Sequence, residues 1–182
     1  MTIKKGPHQA FAWAQVAEAA AIADLVNEAY RTPGPQAWTS EAHLLGGQRT
    51  DAILIAETIA QPMGGILLMR EAAQIIGCVH VAPVARATCA LGLFAVRSDR
   101  QASGCGSALI AHAEAMARQR WDCHRMEITV ITMRDDLIAW YGRRGYGPTG
   151  EFRAFPYGDV RFGLPRRPDL VFCVMEKPLG PM

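Results

Sequence analysis

The sequence predicts an α/β (α+β) fold in which a mixed, mostly antiparallel central sheet is flanked by helices. Three strand-like runs follow one another with short connections, Ile66–Met69, Ile75–Ala82 and Ala90–Val96, which indicates an antiparallel meander. After the meander, helical and strand patterns alternate, as they do where helices pack on the faces of a sheet. The 182 residues are half apolar and one-fifth charged, so we expect a single domain over residues 1–182.

The residues before the meander supply one strand and three helices. Phe11 to Val16 is expected to form the first strand, and the apolar spacing within Ala19–Tyr30 predicts an amphipathic helix. A second helix is expected over Glu41 to Leu45, with Ser40 or the residue before it as its cap. A third is expected from the cap residue Asp51 through Gln61, because Pro and Gly follow it.

The C-terminal half alternates helix and strand. A helix is expected to run to about Arg118, followed by a strand over Arg125–Thr132. The next segment, Arg134–Gly145, predicts a short helix with two aspartates in its first turn and a glycine just past its end. Phe152–Asp169 is rich in Pro, Gly and Arg, so we expect a long loop there, and Leu170–Leu179 should be the closing strand.

Composition excludes several classes of function. The net charge is only +2, and although 12 of the 19 basic residues are arginines between Arg97 and Arg167, no aromatic–basic motif for nucleic acid accompanies them. No apolar run is long enough to cross a membrane. The histidines show no metal-ligand spacing, so we expect no metal. The five cysteines form no Cys-x-x-Cys pair, which predicts reduced, buried thiols in a cytoplasmic protein: Cys78, Cys89, Cys105, Cys123 and Cys173.

The most informative segment joins a strand to a helix through a glycine-bearing loop. An apolar run ending at Val96 leads into the pattern Gln101-x-x-Gly104-x-Gly106, and a helical pattern begins immediately. A helix N-terminus carries unpaired N–H groups and a favourable dipole for anions, and glycines let the chain approach a phosphate closely. The loop lacks the Gly-Lys-Ser/Thr of a Walker A motif and the third glycine of a dinucleotide fingerprint. It therefore predicts binding of a different phosphorylated ligand.

This loop resembles the acetyl-CoA pyrophosphate loop of the GNAT superfamily of acyl-CoA N-acyltransferases. Downstream, Trp140-Tyr141 followed by Arg-Arg-Gly-Tyr is similar to the superfamily signature of a tyrosine near a helix end and then a Gly-aromatic pair. The two segments occur in the superfamily's order. The resemblance implies a GNAT fold with acetyl-CoA as cosubstrate. It also implies direct transfer of an acetyl group to a primary amine of a small molecule, an amino acid or a peptide.

The resemblance also assigns site residues. Main-chain groups of Phe94, Ala95 and Val96 would hold the pantetheine and the thioester. Tyr141 would act as the general acid near the sulfur, although proton transfer from a tyrosine to an alkyl thiolate is uphill by about 2 kcal/mol. A hydrogen bond to the departing thiolate is thus an alternative to protonation. The loop residues would bind the phosphates of the cosubstrate: Gln101, Ala102, Ser103, Gly104, Cys105, Gly106 and Ser107.

Two positions depart from the superfamily pattern. Arg134 stands seven residues before the tyrosine, where many relatives have asparagine. The strand before the loop lacks the glutamate that serves many relatives as a base, and offers Cys89, Ala90 and Leu91 instead. The candidates for a base are therefore Glu41, His80 and Glu127, each of which also has a structural interpretation. Deprotonation through ordered water is the remaining alternative.

Acceptor selection is expected in the irregular segments Arg31–Arg49 and Phe152–Asp169. They contain aromatic and acidic side chains suited to a cationic amine: Trp38, Glu41, Phe155, Tyr157 and Asp159. The alternative function is a catalytically idle acyl-CoA-binding regulatory module, which the missing strand glutamate favours and Tyr141 disfavours. Homodimers are frequent in the superfamily, so the resemblance also suggests a homodimer.

Overall fold

A seven-stranded sheet organises the molecule, and the computed structural model describes residues 9–32 and 40–180 of the chain. The strands are β1 (Gln9–Trp13), β2 (Leu45–Gly46), β3 (Gly65–Glu71), β4 (Gln74–Ala85), β5 (Thr88–Val96), β6 (Arg125–Ile131), β7 (Gly147–Ala154), β8 (Leu164–Pro165) and β9 (Val171–Pro178). The helices are α1 (Ala19–Arg31), α2 (Ala52–Ile59), α3 (Cys105–Trp121) and α4 (Asp135–Gly142).

The sheet has the strand order β1-β3-β4-β5-β6-β9-β7, and β2 and β8 form a separate two-stranded ladder. In the described residues, β5 and β6 make the only parallel pair, and every other pair is antiparallel. The predicted mixed, mostly antiparallel sheet with flanking helices is therefore confirmed, as is the meander β3-β4-β5.

Helices cover both faces of the sheet. Alternate residues of β3 point to opposite sides: Ile66 and Leu68 pack with α1 and α2, whereas Leu67 and Met69 join the core under α3. All four are at most 1% exposed, which explains why β3 reads as a continuous apolar run and not as an alternating one. The site described below lies where these two cores approach each other, at the end of β5.

Two expectations about local structure are wrong. The predicted helix over Glu41–Leu45 is a turn, in which the Leu44 and Leu45 N–H groups both donate to the Glu41 carbonyl at 2.8 Å. Leu45 and Gly46 then pair with β8, and this long-range pairing replaces further helical turns. The expected loop Phe152–Asp169 contains the end of β7 and all of β8, because β9 and β2 supply their partners.

Other local predictions are confirmed. Asp51 caps α2 by accepting a hydrogen bond from the Leu54 N–H at 2.8 Å. Gly145 ends the α4 segment at φ +90°, and the Tyr146 N–H donates to the Tyr141 carbonyl at 3.2 Å in the pattern of a Schellman motif. All five cysteines are free and buried. Trp38 and the Pro-Gly-Pro segment before it lie outside the described residues, and within the described ranges no helix is long and apolar enough to cross a membrane.

Candidate active site

The central feature of the site is an incomplete ladder between β5 and β6. The two strands pair from Thr88–Arg125 to Leu91–Ile128, and the pairing then stops. The β4–β5 register shifts at the same level because Leu93, at φ +47°, is an extra residue in β5. Such a bulge bends its strand and re-aims the residues that follow. The result is a cavity of about 130 Å³ between the separated strand ends.

This cavity is mostly apolar with a few polar groups, as expected for a ligand site. Phe94 and Leu91 contribute from β5, and three phenylalanines enter from the C-terminal part of the chain. The side chains that bring polar groups into its wall include Tyr30, Glu41, Arg49, Thr129 and Tyr141. Tyr30 fixes one edge, because its hydroxyl donates a hydrogen bond to the Phe94 carbonyl at 3.2 Å.

The glycine loop connects β5 to the N-terminus of α3. The Gln101 amide donates to the Val96 carbonyl at 3.0 Å, which ties the loop to the strand end. Gly104 has φ +86°, and a Cβ placed there meets no heavy atom within 4 Å, so the space beside it is open. No side chain caps α3, which leaves its first N–H groups available. A Cβ at Gly106 would lie 3.3 Å from both the Phe94 and Trp140 rings, so α3 packs closely there.

An arginine that the sequence analysis did not single out lies beside this loop. Arg144 donates to the Ser107 hydroxyl from Nε at 3.1 Å and from Nη2 at 2.6 Å. Its third contact is the Trp140 carbonyl at 2.7 Å, and the guanidinium carbon stacks 3.3 Å from the centroid of the Trp140 ring. These contacts place a positive charge at the first turn of α3, which strengthens the anion site.

Cys105, between the two loop glycines, is 2% exposed. Its sulfur accepts hydrogen bonds from the Ser103 hydroxyl at 3.1 Å and the Gln9 amide at 3.3 Å. A thiol with these contacts contributes packing beneath the loop.

Tyr141 lines the cavity from α4 and is only 2% exposed. Its ring packs edge-on against Trp140 and Tyr146, with centroids 5.0 Å and 5.5 Å away. Burial raises the pKa of the Tyr141 hydroxyl well above its ordinary value. The hydroxyl therefore stays protonated and can donate a hydrogen bond across the whole range in which proteins normally work.

The three candidate bases lie in different surroundings. Glu41 lines the same cavity as Tyr141, and its carboxylate lies 3.7 Å from Nη1 of Arg31. Burial raises the pKa of Glu41, while the charges of Arg49, Arg31 and Arg134 oppose that increase. A carboxylate with a raised pKa is a better proton acceptor than an exposed one.

His80 and Glu127 are placed differently. His80 lines a neighbouring open cavity together with Gly92, and burial lowers its pKa, which keeps the imidazole neutral. Glu127 is not among the residues that line the cavity. Both of its carboxylate oxygens accept hydrogen bonds from Arg153, at 2.6 Å and 3.1 Å. The structure thus brings Glu41 together with Tyr141, leaves His80 nearby and separates Glu127 from the site.

Arg134, the departure from the superfamily pattern, connects two parts of the site. It is 3% exposed and holds Asp136 through two hydrogen bonds of 3.0 Å and 3.1 Å. Burial alone would raise the pKa of Asp136, but the hydrogen bonds and charge of Arg134 lower it overall. A further donor reaches the Ser40 carbonyl at 3.1 Å. Arg134 therefore ties the segment that carries Glu41 to the start of the helix that carries Tyr141.

In the parts of the chain that the structure describes, no group of three or more His, Cys, Asp or Glu residues could hold a metal ion. The separated strands, the uncapped helix behind a glycine loop and the buried tyrosine all lie around the end of β5. Residues 20–146 match the family model described as Acetyltransferase (GNAT) family. The chain belongs to this family, and it is an acetyltransferase by class.

Solved structures with the same fold cover nearly the whole chain. The ribosomal-protein-S18-alanine N-acetyltransferase of Escherichia coli is 14% identical, with a TM-score of 0.69 and 96% of each chain covered. The yncA protein of Salmonella typhimurium, solved with its cofactor acetyl-CoA, is 19% identical, with a TM-score of 0.65 and 96% of each chain covered. An N-acetyltransferase of Staphylococcus aureus Mu50 is 13% identical, with a TM-score of 0.67, covering 95% of this chain and 99% of that one. No curated protein matches the sequence.

Proposed function

We propose that the protein transfers an acetyl group from acetyl-CoA directly to a primary amine. The observation that carries this proposal is the cavity at the end of the β5–β6 ladder, where Tyr141 and Glu41 line the wall beside Phe94. The glycine loop lies at the end of the same strand, so one strand serves both a phosphate site and a reaction site. The solved relative that holds acetyl-CoA supports the choice of cosubstrate.

Binding is assigned to the loop and to the strand end. The pyrophosphate would lie on the N–H groups at the start of α3, from Gln101 to Ser107, with Arg144 as an added positive charge. The pantetheine would continue along the main chain of Phe94, Ala95 and Val96. Main-chain N–H groups there stabilise the negative charge that develops on the thioester oxygen, an effect of about 3–4 kcal/mol in comparable sites.

Two side chains handle protons. Glu41 accepts a proton from the ammonium form of the acceptor, and its raised pKa suits this role. Tyr141 donates a hydrogen bond to the departing sulfur. Because burial raises the pKa of Tyr141, complete proton transfer to the thiolate is still more uphill than between free groups. Tyr141 therefore acts chiefly by stabilising the thiolate.

The size of the cavity favours a small-molecule acceptor. A buried water needs roughly 10–15 Å³, so the cavity of about 130 Å³ has room for about ten waters. We place the protein in the cytoplasm, which the five unpaired buried thiols support.

A homodimer stays a prediction. β7 is an edge strand exposed along all eight residues, and sedimentation would test whether a second copy covers it.

The first test is a calorimetric titration of the protein with acetyl-CoA and, separately, with free CoA. We expect one-to-one binding of both in the micromolar range. Acceptor amines are then screened by release of the CoA thiol. No detectable binding at millimolar acetyl-CoA would contradict the proposal, whatever the acceptor.

A pair of matched tyrosine variants tests the chemistry. Tyr141→Phe should lower kcat by about 100-fold or more while leaving the affinity for acetyl-CoA within threefold. Tyr146→Phe is the control, since Tyr146 is equally buried but its hydroxyl donates to Glu114 and not to the cavity. Equal turnover in wild type and Tyr141→Phe would remove Tyr141 from the mechanism.

A further inference from the structure

We propose that the acceptor is an amine that carries a carboxylate, as a free amino acid does, and that Arg49 binds this carboxylate. The inference rests on the proposed acetyl transfer and names the substrate class of that site. It depends on the surroundings of Arg49, on the charges in the cavity and on the position of Tyr30.

Arg49 lies in the cavity wall between two aromatic rings. Its guanidinium carbon is 5.5 Å from the centroid of the Tyr30 ring and 5.6 Å from that of Phe162. One of its nitrogens, Nη1, donates to the Arg161 carbonyl at 3.4 Å. Arg49 also lines the two open cavities next to this one. These cation–π contacts hold the guanidinium near both rings and leave other N–H groups for a ligand.

Among the described residues, no carboxylate makes a contact ion pair with Arg49, although the arginines around it have such a contact; the charge of Arg49 acts on Glu41 without direct contact. Arg134 is held by Asp136, Arg161 by Asp159, and Arg31 lies 3.7 Å from Glu41. In the described residues, no carboxylate oxygen lies within 4.0 Å of a nitrogen of Arg49. The remaining segments, residues 1–8, 33–39 and 181–182, contain no Asp or Glu. The cavity wall therefore holds one guanidinium, that of Arg49, which no Asp or Glu side chain contacts.

The main chain of Arg49 is held in place by a side chain of α1. The Asn27 carboxamide oxygen accepts hydrogen bonds from the N–H of Arg49 at 2.7 Å and from that of Thr50 at 3.3 Å. The Asn27 amide nitrogen donates to the Thr50 carbonyl at 2.8 Å. A guanidinium on a fixed backbone and between two rings is pre-organised for the paired hydrogen bonds that a carboxylate accepts.

Tyr30 sets the separation between Arg49 and the transfer site. Its ring lies under Arg49, and its hydroxyl binds the Phe94 carbonyl, beside which the thioester is proposed to lie. A single tyrosine side chain therefore spans from the carboxylate end of the acceptor to the reacting end. Glu41 lines the same cavity and offers the negative charge that an ammonium group needs. The zwitterion of an amino acid carries both a carboxylate for Arg49 and an ammonium group for Glu41.

The transfer leaves the carboxylate unchanged. A bond forms between the amine nitrogen and the acetyl carbon as the carbon–sulfur bond breaks. Of the two protons that the ammonium group loses, one ends on the CoA sulfur and the other leaves through Glu41 to solvent. Arg49 forms no bond in this step and acts only in binding the acceptor.

The test compares acceptors that differ only at the carboxylate. Thiol release is measured with leucine, methionine and phenylalanine, each as free acid and as carboxamide, for wild type and for Arg49→Met. Arg120→Met is the matched control, because the Arg120 guanidinium also lies over two rings, Trp13 at 5.0 Å and Trp121 at 5.4 Å, at the far end of α3. We expect wild type and Arg120→Met to prefer the acid by at least about tenfold in kcat/KM, and Arg49→Met to lose that preference.

Different results would overturn the binding of a carboxylate by Arg49 and the acetyl transfer itself. If acetyl-CoA binds and amides or simple amines, including peptides, are acetylated as fast as free acids, the carboxylate inference is overturned and the transfer stands. If no acceptor reacts, binding of N-acetyl amino acids to the CoA complex is measured by calorimetry. Equal binding of acid and amide, or no binding of either at millimolar concentration, also overturns it. Absence of acetyl-CoA binding refutes the proposed function first.

Discussion

Removing the Tyr146 hydroxyl should lower the free energy of unfolding by about 2 kcal/mol. The hydroxyl donates at 2.9 Å to the Glu114 carboxylate, whose other oxygen accepts from Lys177 at 2.7 Å. Glu114 is 7% exposed and Tyr146 is 2% exposed, so water replaces the lost donor poorly. Hydrogen bonds to charged groups contribute about 1.5–3 kcal/mol, and Tyr146→Phe keeps the whole ring, so no packing term is added.

The assay is urea unfolding of wild type, Tyr146→Phe, Lys177→Met and the double variant. In thermal unfolding, each kcal/mol shifts the Tm of a chain of this length by about 2–4 °C, so the Tm of Tyr146→Phe should be roughly 4–8 °C lower. The two donors share one carboxylate, and we therefore expect a coupling energy of at least about 0.5 kcal/mol in the double-mutant cycle. Tyr141→Phe is the matched control, since it removes an equally buried hydroxyl that lines the cavity.

Two results would refute this reasoning. A loss below about 0.5 kcal/mol in Tyr146→Phe would mean that the hydrogen bond is replaced, most simply by water reaching Glu114. Strict additivity with Lys177→Met would mean that the two donors act independently. A larger loss of unfolding free energy in Tyr141→Phe than in Tyr146→Phe would mean that the Tyr141 hydroxyl, and not the Tyr146 hydroxyl, stabilises the fold.

Three further predictions concern the backbone and pH. Gly163→Ala should destabilise the protein by more than about 2 kcal/mol in urea unfolding, because φ is +93° and the new Cβ would lie 2.9 Å from the Gly46 carbonyl oxygen. Gly158→Ala, at φ +88° in open space, should lose only about 1 kcal/mol, and equal losses would contradict the steric argument. The pKa of Asp136 is lowered in the folded protein, so its contribution is complete above its ordinary value of 3.8 and disappears as pH falls through the lower folded value. The free energy of unfolding of wild type should exceed that of Asp136→Asn by less than about 1 kcal/mol, because the side chain is 60% exposed. This difference should therefore shrink between pH 5 and 2.5. Because burial raises the pKa of Tyr141, kcat should not fall between pH 7.5 and 9.5, and a fall that Tyr141→Phe abolishes would show that this tyrosine ionises there.

The sequence predicts the elements whose patterns are local. The meander, the strand–loop–helix around Gly104 and the α4 segment ending at Gly145 each carry their own periodicity, cap or turn residue, and the structure has them. The short strands β2 and β8 carry no such signal. Leu45 and Gly46 pair with a segment more than 100 residues away, and only that pairing makes them a strand. A helix over Glu41–Leu45 was expected because local propensity has no information about this partner.

Site prediction from sequence has the same boundary. Tyr141 and the loop residues could be proposed because they lie in recognisable spacing. The bulge at Leu93 could not, since a leucine at φ +47° reflects the pairing of its neighbours and not its own preference. Arg49 was not singled out either, because its role depends on Asn27 and Phe162, neither of which is near it in the chain. Which of the three candidate bases faces the cavity was likewise undecided until the fold placed Glu41 there.

The incomplete ladder between β5 and β6 has a mechanical consequence. It divides the sheet into two antiparallel panels, β1-β3-β4-β5 and β6-β9-β7, joined edge to edge by only four residue pairs. A ligand bound between the diverging ends of β5 and β6 would contact both panels and hold them together. Amide hydrogen exchange in β5 and β6 would then slow on ligand binding, while exchange within either panel would change little. The incomplete β5–β6 ladder that forms the cavity is therefore also the place where the two panels separate most easily.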